Sequence, residues 1–350
     1  MQTTTIDTAR LRTHCWVAGR EDGEPLLMVH GNLVTGRFFQ ALAERVPDRF
    51  RVVAPDLRSF GRTAALPVDA SRGLRDWSDD LRSLVEALGW ADRGRVHAVG
   101  WSMGGGILQQ YEIDYPGDLA SLTLIAPMSP FGFGGTRDVQ GTPSYADFAG
   151  SGGGTAAPDF VRRLAARDTS EDEPLSSPRV TMRNFFWSPR YVAPDEDELI
   201  QEVLLTSVGE DFYPGASLPS ENWPGVGPAP RGVNNAMSPA WCNTSAFGDV
   251  ERPAPLLWIR GDEDQVVSDQ SMFDFGTLGQ LGAVPGWPGA EVFPPQPQVS
   301  QTRTVFERRR AHNGRVREVV LHEVGHGPLI ERPDEVARLM LEHIAAAQGG

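Results

Sequence analysis

The chain has 350 residues, 40% of them hydrophobic and 22% charged, which is the balance of an ordinary globular protein able to bury a sizeable core. Its formal net charge of −14 argues against nucleic acid or an anionic membrane as a partner, because both would repel it. No apolar run approaches the roughly 18 residues of a spanning helix, so no membrane association is expected.

The opening stretch, Met1 to Arg10, is polar and lacks the apolar region of a signal peptide. With Cys15 and Cys242 far apart, this favours free buried thiols and a cytoplasmic location. Leu11 to Ala18 alternates loosely and reads as an edge strand, with Gly19 to Pro25 as the turn after it. Pro25 to His30 is a short continuous apolar run, as expected of a strand buried on both faces of a parallel sheet. A helix is predicted from near Gly36, with Phe38, Phe39, Leu42 and Val46 on one face, followed by a strand over Arg51 to Asp56. From Asp76 to Leu88, Trp77, Leu81, Leu84, Val85 and Leu88 form one apolar stripe, and Gly89 ends that helix. Strands are predicted at Val96 to Gly100 and Ala120 to Ala126, with a helix from Ile107 to about Tyr115 between them. This alternation predicts βαβ units, hence an α/β fold with a mostly parallel central sheet flanked by helices.

The rhythm breaks at Pro127. Residues 128–251 are rich in Gly, Pro, Ser and aromatics and read as an inserted cap, with helical pieces near Asp159 to Arg167 and Asp195 to Val208. Strand character resumes at Pro255 to Arg260 and at Arg317 to Leu321, and a closing helix starts at Pro333. Residues 1–127 and 252–350 are therefore expected to form the core. Within the second stretch, 276–300 holds Pro285, Pro288, Pro294, Pro295 and Pro297 and reads as a long structureless excursion.

The sharpest motif is Gly100-Trp101-Ser102-Met103-Gly104, placed between a predicted strand and a predicted helix. A serine on such a turn sits in a strained backbone conformation, and its neighbours at minus two and plus two must lack a Cβ. The following helix aims its free N–H groups at the point where negative charge would develop. Three other stretches also follow strands: His30-Gly31-Asn32, Gly261-Asp262-Glu263-Asp264-Gln265-Val266-Val267, and Val324-Gly325-His326-Gly327-Pro328. In a parallel sheet all strand C-termini share one edge, so Ser102, an acid near 262–264 and His326 can converge there.

With these motifs and Pro55-Asp56-Leu57-Arg58-Ser59-Phe60-Gly61-Arg62-Thr63, the chain resembles the α/β-hydrolase fold family, of the capped serine esterase kind. Matching motif to motif, the resemblance implies Ser102 as nucleophile and His326 as general base. It implies Asp264, from Gly-x-x-Asp-x-x-Val, as the orienting carboxylate in preference to Asp262. The backbone N–H groups of Asn32 and Met103 would form the oxyanion hole. The Asn32 side chain would either add a donor or cap its own turn. The implied reaction is cleavage of a small-molecule carboxylic ester through an acyl-serine, with no cofactor and no metal. Carbon–carbon bond, lactone or thioester hydrolysis would use the same triad, and a non-catalytic small-molecule receptor is the reading from another class. Two features depart from the family pattern: Ser59 and Thr63 replace its more usual Gly and Ser, and the acid-to-histidine gap is about twice the usual one.

Other residues have blander readings. His30 and Asp56 are expected to organise their loops, and His97 to be a core residue bonded to backbone. His14, His312 and His343 are expected at the surface or a strand edge. Phe185-Phe186-Trp187, Trp223 and Trp241 would line an acyl pocket or pack the cap on the core. His322-Glu323-Val324-Gly325-His326 spells a zinc motif that works only on a helix. Here it follows a strand-like run and carries Gly325, with Pro328 close behind, so a helix and a zinc site are not expected.

Overall fold

The apolar runs become the middle of one eight-stranded sheet in the computed structural model, which describes residues 1–91, 94–312 and 314–349. Gly350, the last residue of the second predicted core stretch, lies outside the described residues. In chain order the strands are β1 (Gln2–Asp7), β2 (Arg12–Gly19), β3 (Glu24–Val29), β4 (Phe50–Pro55), β5 (Val96–Trp101), β6 (Leu119–Ile125), β7 (Leu256–Gly261) and β8 (Val316–Leu321). They lie side by side as β1-β2-β4-β3-β5-β6-β7-β8. Neighbours from β4 to β8 are parallel, whereas β1–β2 and β2–β4 are antiparallel. Parallel neighbours need crossovers, and the helices Arg75–Ala87, Met103–Asp114 and Pro333–Gln348 supply cover for the sheet. Leu26 to Val29, Ala98, Val99, Leu122, Leu124 and Leu256 to Ile259 are all buried, which is why their sequence reads as continuous apolar runs.

Several expectations are corrected at the margins of this sheet. The polar opening is itself a strand: β1 pairs with β2 along its length, Thr3 opposite Trp16 and Thr5 opposite His14. The β-branched threonines suit a half-exposed edge, and β2 therefore lies one strand in from it. His14 is buried as a result, at hydrogen-bond distance from Asp56. His97 is in the core, but its partners are side chains, Ser121 Oγ at 2.7 Å and Glu24 Oε1 at 2.9 Å.

Between β6 and β7 run the helices Pro158–Ala165, Pro178–Phe185 and Glu196–Val203, and two short two-stranded ribbons. The second helix was unanticipated, though Ser177 caps it by accepting from Val180 N–H and Pro178 opens it. The third ends at Val203, and Val208 already belongs to a ribbon. Its buried Glu202 accepts from Thr35 Oγ1 at 2.8 Å and from both ends of the Arg62 guanidinium at 2.8 and 2.9 Å. The inserted chain is thereby fastened to loops that follow β3 and β4.

The excursion is less structureless than its prolines suggest. The helix Phe275–Gln280 opens it and its last residues already belong to a second unanticipated helix, Gln298–Ala311. Between them Phe293 is fully buried against Trp223, with ring centroids 5.0 Å apart. Asp274 Oδ2 accepts from the N–H groups of Thr277 and Gln296, tying the start of the excursion to its end. From the second helix, fully buried Arg309 donates to Glu112 on Met103–Asp114, and also to the carbonyls of Phe247 and Ala254. Among the described residues no helix is long and apolar enough to cross a membrane.

Two outcomes follow. Burial drives both Glu112 and Arg309 toward their neutral forms, so the pair is held by its mutual bonds. Arg309→Met should lower stability by roughly 3–5 kcal/mol in urea unfolding, and Glu112→Leu in the same chain should restore most of it. Burial also pushes the Asp274 carboxyl up from 3.8 to about 6. The folded state then holds a proton that the unfolded chain releases, so this group's contribution falls as pH rises from about 4 to 6. Asp274→Asn should therefore gain on the parent by up to roughly 3 kcal/mol between pH 4 and 7, read from paired urea curves.

Candidate active site

β5 delivers the chain to Ser102, whose backbone lies at φ 56° and ψ −121°, and the helix Met103–Asp114 starts at the next residue. A side chain at positive φ costs on the order of 1–3 kcal/mol, so the surroundings must impose it. Ser102 N–H donates to Ile125 C=O at 3.0 Å, and Ser102 C=O accepts from Met128 N–H at 3.0 Å. The two elbow glycines answer to close approach. A Cβ on Gly104 would lie 2.1 Å from Val29 C=O, and one on Gly100 2.6 Å from Gly104 C=O. Strand, turn and helix could not pack this tightly otherwise.

The histidine loop follows β8. His326 Nδ1 lies 2.8 Å from Asp264 Oδ2, both side chains being buried. Asp264 Oδ1 accepts from Val266 and Val267 N–H at 2.8 and 2.9 Å, so the carboxylate cannot rotate away. Facing a carboxylate, Nδ1 carries the proton and Nε2 is left with its lone pair. The loop is tied to the elbow by Trp101, which donates from Nε1 to His326 C=O at 2.7 Å, with the two rings 5.6 Å apart. Ser102 Oγ itself has no hydrogen bond to another described residue, so Trp101 makes the link between the serine and histidine segments. Asp262 pairs instead with exposed His322, at 2.6 Å. Residues 322–326 form a turn rather than a helix, and the two imidazoles face separate carboxylates.

The loop after β3 is organised from below. Buried His30 donates from Nδ1 to Gly31 C=O at 2.7 Å and accepts from Leu57 N–H at Nε2 at 2.9 Å. Burial pushes its pKa down to about 4, which keeps the ring neutral and in that tautomer. Asp56 accepts from Trp16 Nε1 and from the N–H groups of Gly36 and Arg62, joining strand β2 to the segments that follow β3 and β4. The Asn32 side chain neither caps its own turn nor is wholly free: Nδ2 donates to Asn234 Oδ1 in the inserted chain at 3.2 Å. The backbone N–H groups of Asn32 and Met103 have no partner among the described residues.

The aromatic residues are engaged in packing. Phe185 meets Phe273, Trp187 meets Phe186 and Tyr191, and Trp223 meets Phe275 and Phe293. His312 is exposed, while His343 bonds Pro255 C=O at 3.0 Å. Spacing gave no notice of Trp101, Asn234 or Glu331, whose carboxylate accepts from Gly325 and Ser188 N–H. The one available signal was the pair of glycines flanking His326, which marks a backbone closely approached from outside.

Residues 26–339 match the model of a family described as the alpha/beta hydrolase family. The chain is similar to Lipase 1 of Psychrobacter immobilis, 31% identical over 123 residues that cover 35% of this chain and 38% of that protein. It is similar also to Lipase 3 of Moraxella sp. (strain TA144), 30% identical over 34% of this chain and 36% of that protein. These matches span little more than a third of the curated relatives' length. Among solved structures it is similar in fold to esterase RhEst1 from Rhodococcus sp. ECU1013, with a TM-score of 0.61 at 16% identity over 99% of this chain and 100% of that one.

Trp101→Phe would leave a buried carbonyl at His326 without its donor. It should lower stability by roughly 1–3 kcal/mol, seen as a lower thermal midpoint with unchanged far-UV dichroism.

Proposed function

This chain belongs to the alpha/beta hydrolase family, and from that membership we propose that it is a serine hydrolase of small-molecule carboxylic esters. One observation carries the reading. A buried Asp264–His326 pair is held by Trp101, the residue that precedes a strained Ser102. Ser102 Oγ attacks the ester carbonyl carbon while His326 Nε2 takes its proton. The oxyanion of the tetrahedral intermediate is received by Asn32 and Met103 N–H, both free of protein partners among the described residues. The His326 imidazolium then returns the proton to the departing alcohol, leaving acyl-Ser102. Water attacks this ester with His326 again as base, releasing the acid and restoring the serine. Asp264 stabilises the imidazolium and keeps the ring in the productive tautomer.

Residues 128–251 act in this reading as a cap, supported by contacts from Asn234 and Ser188 to loops that carry the site. A cytoplasmic location is supported by Cys15 and Cys242, which are free and buried, with burial raising both thiols.

Turnover of p-nitrophenyl acetate should fall on the order of 10⁴- to 10⁶-fold in Ser102→Ala with folding intact. It should fall about 10⁴-fold in Asp264→Asn, while Asp262→Asn stays within a few-fold of the parent. A fluorophosphonate should label the parent and spare Ser102→Ala.

A further inference from the structure

Glu331 is the last residue of the short helix Pro328–Glu331, which turns the chain back beneath the histidine loop. Its side chain is buried, and its oxygens accept from Gly325 N–H and Ser188 N–H, each at 2.9 Å. One carboxylate thus ties the residue before His326 to the inserted chain at Ser188. Burial raises its pKa, and those N–H bonds oppose the rise.

Ser188 reaches the other way as well. Its hydroxyl donates to Glu263 Oε2 at 2.7 Å, next door to Asp264, and Glu263 N–H bonds Val324 C=O at 2.9 Å. Trp187 closes the bracket. A Cβ on Gly325 would lie 2.4 Å from the Trp187–Ser188 peptide, and one on Gly327 would lie 2.4 Å from the indole. Both glycines of Gly325-His326-Gly327 are therefore required by the inserted chain.

We infer that Glu331 and Ser188 are positioning residues for His326, bracing the histidine loop against the acid loop through the inserted segment. The inference rests on the serine hydrolase reading. An imidazole displaced by a fraction of an ångström from Ser102 loses rate and leaves substrate binding unchanged.

The test measures p-nitrophenyl acetate kinetics and fluorophosphonate labelling rates, far below each variant's unfolding temperature. Glu331→Gln, which sets an amide against the N–H groups, should lower kcat and the labelling rate about 10- to 100-fold with KM within two-fold. Ser188→Ala removes only the hydroxyl and should lower both about 10-fold, which keeps the test open where Glu331→Gln fails to fold. Glu263→Ala with Ser188→Ala should be no worse than the poorer single variant, since each removes one end of the same bond. Arg190→Ala removes the exposed partner of Glu263 and should leave kcat unchanged. Folded variants with parental kcat and only a lowered unfolding temperature overturn the inference, as does a raised KM at constant kcat. An inert, unlabelled parent overturns the serine hydrolase reading itself, and the inference with it.

Discussion

The positive φ of Ser102 is the constraint on which the rest of the site depends. A serine in extended or helical backbone would lie along the strand or the helix, and only the turned conformation lifts its hydroxyl off the sheet edge. Holding that conformation takes parallel neighbours on both sides of β5, a helix that begins at once, and glycines where strand and helix meet. The sheet supplies the first, with β3 and β6 parallel to β5; on the β6 side Ser102 N–H donates to Ile125 C=O, and Ser102 C=O accepts from Met128 N–H just beyond that strand. The glycines supply the last. Anchored to this fixed point, Trp101 then sets how far the histidine loop can stray.

What was legible in the sequence tracks how local its cause is. Strands β3 to β7 announce themselves because burial on both faces forces an apolar run, and the elbow because its backbone excludes Cβ atoms at fixed offsets. Asp264 was separable from Asp262 by pattern, and the geometry places Asp264 on His326 and Asp262 on His322. β1 was missed because an edge strand needs no buried face: its residues are exposed or half-buried, and threonine favours extended backbone without an apolar signal. The Gln298–Ala311 helix was missed for another reason. Its buried face gives only Val305 and Phe306 to the hydrophobic core; Gln298, Gln301, Thr302 and Arg309 are buried beside them and break the apolar stripe, Gln301 and Arg309 bonded to other polar side chains. Residues that act across the fold, such as Asn234 and Glu331, leave no spacing to read.

A comparison inside the molecule shows how little a hydrogen-bonded serine, histidine and acid mean alone. Ser121, His97 and Glu24 form such a chain at 2.7 and 2.9 Å. Ser121 lies within a strand, fully enclosed, beside a register shift between β5 and β6 but without the positive φ of Ser102. There the imidazole is a structural strut between β3, β5 and β6. The difference at Ser102 comes from backbone geometry and access, since the functional groups are the same.

The bonds of Ser188 to Glu263 and Glu331 also bear on how selectivity and rate can be separated when such a protein diversifies. An insertion that merely roofed a pocket could be exchanged wholesale between relatives. Here two of its residues are built into the frame of the proposed base. A chimera that imports a foreign insertion must carry a tryptophan–serine equivalent at that joint, or accept a slower catalyst along with its new preference.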